Sequence, residues 1–268
     1  MIEIIRSVII GGVQGVSEFL PISSSGHLVL IPYLFKWDYN GLSFDIALHF
    51  GTAIAIIAYF WKDWMRIIKK TINPKYDTEY IEHDYPDNFL WKILVASIPA
   101  AILGVFLDKY VETYLHSPLL IAFNLIFFGL VLWLFDKHSK SSLIVKNVSY
   151  SQSFIVGCAQ AIALMPGVSR SGITMTASRF FGLKRKDAAR FSFLLATPAM
   201  IGAFLISAKD IVGNDLNLVF LLGVLSSTFF GFLAIKYLLK YLERGSFSVF
   251  VWYRIVLAII ITVIYFVR

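Results

Sequence analysis

GCAQAIALMPGVSRSGIT, residues 157 to 174, is apolar up to Pro166 and then becomes a Gly/Ser run carrying a single charge, Arg170. Around it lies a chain of 268 residues that is 58% hydrophobic and only 15% charged, with a mean hydropathy of +0.74. A soluble domain of this length carries closer to a quarter charged residues. The apolar residues come in long runs, which read as membrane-spanning helices. An arginine placed inside such a chain is costly, and by default it marks a functional site.

A second stretch, GVQGVSEFLPISSSGH (Gly12–His27), has the same layout, with Glu18 and His27 in place of the arginine. The distance from Gly12 to Pro21 equals that from Gly157 to Pro166, and a Ser-rich run ending Ser-Gly follows each proline. After the first stretch come spans at about Phe44–Trp61, Phe89–Leu107 and Pro118–Phe135. After the second come Ala188–Ile206, Leu218–Leu239 and Val249–Val267. Lys62-Asp63 and Lys209-Asp210 close equivalent spans. The expected fold is an all-α polytopic membrane protein with one membrane domain over 1–268. It divides into halves 1–138 and 150–268, each a broken re-entrant helix pair plus three transmembrane helices. Irregular backbone at membrane depth is tolerated only where protein or a wet cavity covers it, and repeats of this kind form a known membrane architecture.

With each broken pair re-entrant, the loops 62–88, 136–149, 183–187 and 238–248 share one side and hold 13 of the 24 Lys and Arg residues. Lys36, Lys109, Lys209 and Arg268 fall on the other side, so the rich side is expected to be cytoplasmic. Each half then crosses an odd number of times, which makes the repeats inverted and lets the two broken tips meet near the midplane. The mixed charges of Lys62–Asn88 read as a solvated loop, and Arg179 and Lys184-Arg185-Lys186 as cytoplasmic anchors. The net charge of +7 reflects these loops, not nucleic-acid binding. Met1-Ile2-Glu3 lacks a basic n-region, so no signal peptide is expected. With Cys158 as the only cysteine, intramolecular disulfides and cysteine metal clusters are excluded.

The two broken stretches carry the candidate chemistry. Gln14 and Glu18 share a helix face. Gly167, Ser169, Arg170, Ser171 and Gly172 have the makings of an anion cradle: amides exposed by glycine, serine hydroxyls, a helix N-terminus, and a planar cation suited to phosphate. Ser23, Ser25 and Gly26, within Pro21–Gly26, could form a second one. Cleaving a phosphoanhydride needs charge stabilisation on the equatorial oxygens and an in-line nucleophile, here a serine hydroxyl or a water, with His27 or Glu18 as base. Glu18 with Gln14 could also hold Mg²⁺ or Ca²⁺ together with substrate phosphates. His49 reads either as a bundle-interior histidine or as a pocket residue, while His83, His116 and His138 fall in loops.

Glu18–His27 (EFLPISSSGH), Phe44–Thr52 (FDIALHFGT) and Ala163–Thr174 (ALMPGVSRSGIT) together resemble the undecaprenyl-pyrophosphate phosphatase family linked to bacitracin resistance, and the resemblance covers essentially the whole chain. It implies a multi-pass hydrolase of the bacterial inner membrane that converts undecaprenyl diphosphate to undecaprenyl phosphate. Its site would open to the extracytoplasmic side, supplying lipid carrier for peptidoglycan synthesis and conferring bacitracin resistance. Its partners would be that substrate and membrane lipid, and a homodimer is allowed. By the same resemblance Ser24 is the nucleophile, Arg170 the phosphate clamp, and Thr174 the last residue of the PGxSRSxxT motif. Many members carry Glu-xxx-Glu in the acidic motif, whereas this chain has Gln14 at its first position, which weakens a two-carboxylate metal site. A lipid phosphatase family with a histidine nucleophile also uses Ser-Gly-His and Ser-Arg, but it needs a later histidine, and none follows His138. A polyprenyl-phosphate transporter or flippase using the same midplane anion site is the other reading.

Overall fold

In a computed structural model of the chain, residues 1–35, 37, 42–75, 85–115, 117–207 and 217–267 are described. The sequence expectations for Lys36, His83, His116, Lys209-Asp210 and Arg268, and for the Lys109 side chain, lie outside the described residues. The described residues form helices in this order: α1 (Ile2–Phe19), α2 (Ser24–Phe35), α3 (Leu42–Tyr59), α4 (Trp61–Ile72), α5 (Phe89–Tyr114), α6 (Pro118–His138), α7 (Tyr150–Ile162), α8 (Arg170–Phe180), α9 (Arg185–Ser207), α10 (Leu218–Tyr241) and α11 (Ser248–Val267). Five of them are long and apolar enough to cross a membrane, and α3 with α4 makes a sixth candidate bent by 66°. The all-helical polytopic architecture expected from the apolar runs is the one observed.

Both expected breaks are present, and each has a local cause. α1 stops at Phe19 because the residue before a proline is driven out of the helical region; Leu20 is extended, with ψ 144°. The chain re-enters a helix through Ser23 at φ 70°. α7 starts from a capping box in which Ser149 Oγ accepts from Gln152 N while Gln152 Oε1 accepts from Ser149 N. It gives way to a turn through Pro166 and Gly167, the latter at φ +89°, and α8 begins after Ser169 at φ 72°. Left-handed backbone at a non-glycine residue is uncommon. Here it occurs at the residue just before α2 and again at the residue just before α8.

Lys62–Asn88 is not wholly a solvated loop. Trp61–Ile72 is helical, burying Asp63 and Ile67 while Lys62, Lys69 and Lys70 face outward. The basic residues hid an apolar stripe with helical spacing, and the result has the character of an interfacial helix. Asp63 is buried because Arg190 of α9 pairs with it, and Tyr85 Oη donates to its Oδ1 at 2.9 Å. Burial pushes the Tyr85 phenol above its ordinary value. Arg179 and Arg185 are likewise not free anchors. Both donate through Nε to Asp136, at 2.9 and 2.8 Å, and Arg179 is 1% exposed.

The helices interleave. α1 packs on α10 and α7 on α5; α10 packs on α3 and α5 on α9; α6 and α11 pack on each other. Close approach depends on glycine: a Cβ at Gly15 would strike the backbone of Ser227 and Gly231, and one at Gly157 the backbone of Ala96. Small residues at the contact are how membrane helices come together without a hydrophobic drive between them. Large apolar residues such as Phe106, Phe229 and Trp252 remain exposed on the outside, as lipid-facing residues would.

Candidate active site

Glu18 joins the two broken pairs. It lies one residue from the end of α1, 8% exposed. Its Oε2 accepts from Ser24 Oγ at 2.7 Å and from Gln14 Nε2 at 3.0 Å, and its Oε1 pairs with Arg170 Nη2. Ser24 is the first residue of α2 and Arg170 the first of α8. The two half-helices therefore place their opening residues on opposite oxygens of one carboxylate.

The turns are also stitched to each other directly. Gly167 N donates to Ser25 Oγ at 3.3 Å, and Ser171 Oγ donates to the Leu20 carbonyl at 3.0 Å. Ser23 Oγ lies 3.0 Å from Ser25 Oγ, and Ser169 Oγ accepts from Gly172 N at 3.2 Å. The amides of Ser169, Arg170 and Ser171 have no hydrogen-bond partner among the described residues. They lie at the start of an 11-residue helix, where an anion is favoured.

Not every expected residue reaches this point. His27 Nδ1 donates to the Ser23 carbonyl at 2.7 Å, which leaves Nε2 to accept from Tyr253 Oη at 2.6 Å. Both ring nitrogens are thus occupied and the residue is 6% exposed, so the structure does not bring His27 to Ser24. Thr174 is 0% exposed and bonded to the Arg170 carbonyl and Ser192 Oγ, so it braces the first turn of α8. Gly26 faces Ile121 and Leu125 and lines an apolar cavity of about 280 Å³ with Leu30, Ile261 and Ile264.

Residues 7–260 match the family described as "Bacitracin resistance protein BacA". The chain belongs to that family. Among its relatives, an "Undecaprenyl-diphosphatase" of Moorella thermoacetica is 45% identical over 99% of both chains. Another of that name, from Pelotomaculum thermopropionicum, is 44% identical over 97% of this chain and 96% of its own. A third, from Methanosphaera stadtmanae, is 43% identical over 97% of each.

In this member of the BacA family, His49 within the Phe44–Thr52 motif and two residues beyond the motifs, Tyr253 and Arg254, complete the site. His49 of α3 places Nε2 3.8 Å from Glu18 Oε2, with Nδ1 donating to the Asp45 carbonyl at 2.8 Å and the side chain 48% exposed. That it faces Glu18 from two helices further along the chain could not be read from spacing. Tyr253 and Arg254 sit side by side in α11, the first against His27 and the second behind both turns. A lone arginine in an apolar span was the available signal for Arg254.

The donor set for a divalent cation is thin. Among the described residues no group of three or more His, Cys, Asp or Glu could hold a metal. Both Glu18 oxygens are engaged by donors. One open acceptor lies beside them: Gln14 Oε1 is buried and has no hydrogen-bond partner among the described residues. An orphaned oxygen next to a carboxylate suits a hard cation that takes its remaining ligands from substrate phosphates.

Proposed function

We propose that the chain is an integral membrane phosphatase that hydrolyses undecaprenyl diphosphate to undecaprenyl phosphate and phosphate, returning the carrier to peptidoglycan synthesis and conferring bacitracin resistance. The observation that carries this is the carboxylate bridge from Ser24 to Arg170, set beside a helix N-terminus with free amides. Full-length relatives named undecaprenyl-diphosphatase support the same reading.

The site residues divide the work. Arg170 and the amides of Ser169, Arg170 and Ser171 bind the terminal phosphoryl group and hold the charge that spreads over its oxygens. Glu18, as acceptor of the Ser24 hydroxyl proton, is the base that serine attack would need. In the serine route Ser24 Oγ bonds to the terminal phosphorus, the bridging P–O bond breaks, and water later releases phosphate from Ser24. In the direct route a water takes the place of Ser24 Oγ. Ser23 and Ser25 hold the first turn against the second.

A divalent cation, Mg²⁺ or Ca²⁺, would be held by Gln14 Oε1 and Glu18 with substrate oxygens, and when bound it neutralises charge on the diphosphate. Gln14→Glu therefore places a second carboxylate beside Glu18, where a divalent cation would take an oxygen from each. At saturating Mg²⁺ its phosphate release matches or exceeds the parent's, and it falls more steeply as free Mg²⁺ is chelated. A marked loss at every Mg²⁺ concentration would assign Gln14 to neutral hydrogen bonding instead.

The halves 1–138 and 150–268 are read as inverted repeats. Their packing partners exchange as a two-fold relation requires, α1 on α10 against α7 on α5. The basic loops support a cytoplasmic assignment for their side, and the family resemblance supports a site that opens to the extracytoplasmic face of the bacterial inner membrane. The deciding experiment is phosphate release from undecaprenyl diphosphate by purified protein in detergent, with no ion gradient. Release is expected. An intact, folded protein that released none under any ion condition would point to lipid transport at the same anion site.

A further inference from the structure

Arg254 lies in the middle of the membrane bundle, 0% exposed, and among the described residues it has no carboxylate partner. All its partners are backbone carbonyls. Nε donates to Leu125 at 2.9 Å, and Nη2 to Asn124 at 3.1 Å, Gly167 at 3.0 Å and Val168 at 3.1 Å. Nη1 reaches the Pro21 carbonyl at 3.4 Å. Those carbonyls belong to three separate pieces of chain: the break after α1, the break after α7, and α6. Glycines keep room for the side chain. A Cβ at Gly129 would lie 3.4 Å from Nε, and one at Gly172 3.1 Å from Nη1.

We propose that Arg254 is a positioning residue that fixes the two broken turns at one separation and aims the amides of the second turn at the substrate phosphate. The inference rests on the phosphatase reading above. Its physical basis is the planar peptide, in which the C=O and the following N–H point to opposite edges. With the Val168 carbonyl turned to Arg254, the Ser169 N–H is turned away from it, and that N–H is one of the three free amides. Pro21, held by the same guanidinium, sits three residues from Ser24 and three from Glu18. A rigid fork with five donors can serve three segments at once, whereas a lysine ammonium cannot. Misplacing a catalytic group by about 1 Å costs on the order of 10²-fold in rate.

The test compares parent, Arg254→Lys and Gly129→Val, each purified in detergent and assayed on undecaprenyl diphosphate. Gly129→Val keeps Arg254 but crowds its side chain from α6, so the pair guards against one variant failing to fold. Orthovanadate serves as the transition-state analogue, since a group aimed at the transition state must affect its binding. In both variants kcat/KM should fall by about 10²-fold, with the vanadate inhibition constant rising by a similar factor. Parent values in either folded variant would overturn the proposal. So would a loss of rate with the vanadate constant and KM unchanged, because that pattern reports fewer folded molecules and a purely structural arginine. A parent that released no phosphate would sink the phosphatase reading itself, in an arm independent of the variants, and the positioning role with it.

Discussion

Arg170→Ala lowers phosphate release from undecaprenyl diphosphate by about 10³-fold, the lower end of what a transition-state arginine supplies. Two losses combine. The terminal phosphoryl group loses the planar donor that matches its oxygens. Glu18, 8% exposed, also loses the partner that holds its Oε1 and so sets the carboxylate against Ser24 Oγ. With that carboxylate no longer fixed, the nucleophile and the clamp fail together. Arg170→Lys restores the charge without the fork and should fall between the parent and the alanine variant. The measurement is turnover of folded, monodisperse protein, and activity near the parent level in Arg170→Ala would remove the clamp from the mechanism.

Ser24→Ala comes next, with an expected loss of similar size, about 10³-fold, if a general base and its nucleophile act as one unit. The geometry favours the serine route: Ser24 Oγ lies 2.7 Å from a carboxylate oxygen at the opening of α2. Acid quenching of the parent during turnover should leave phosphate on a peptide containing Ser24. If the alanine variant keeps releasing phosphate at close to the parent rate, attack is by water and Ser24 only positions Glu18.

The spans were legible because long apolar runs in a chain this poor in charge have one reading; α6, α9, α10 and α11 fall within a few residues of the expected boundaries, and α5 starts at the expected Phe89 but runs past Leu107 to Tyr114. The breaks were legible because Pro21 and the Pro166-Gly167 pair each force the backbone out of the helix. The meeting of Glu18, Ser24 and Arg170 followed from the matching layout of the two stretches. Other features turned on contacts between distant segments, which spacing cannot report. His27 was a candidate base because it follows the serine run, but its ring turns toward Tyr253, more than two hundred residues away in sequence. His49, two elements further on, is the histidine that faces Glu18. Arg254 fits the rule that singled out Arg170, a lone cation in an apolar run, yet no Gly/Ser turn beside it drew attention. α4 was hidden by its own lysines, which mask a buried stripe one residue wide.

The bond between Glu18 and Arg170 spans 152 positions, and α1 rests on α10 far more than on its neighbours in the chain. A ribosome therefore delivers the first helix long before the helix it must pack against. During synthesis Glu18 therefore waits without the arginine it pairs with in the finished fold. It acquires its charge pair, and with it the capacity for chemistry, only as the later helices insert beside it.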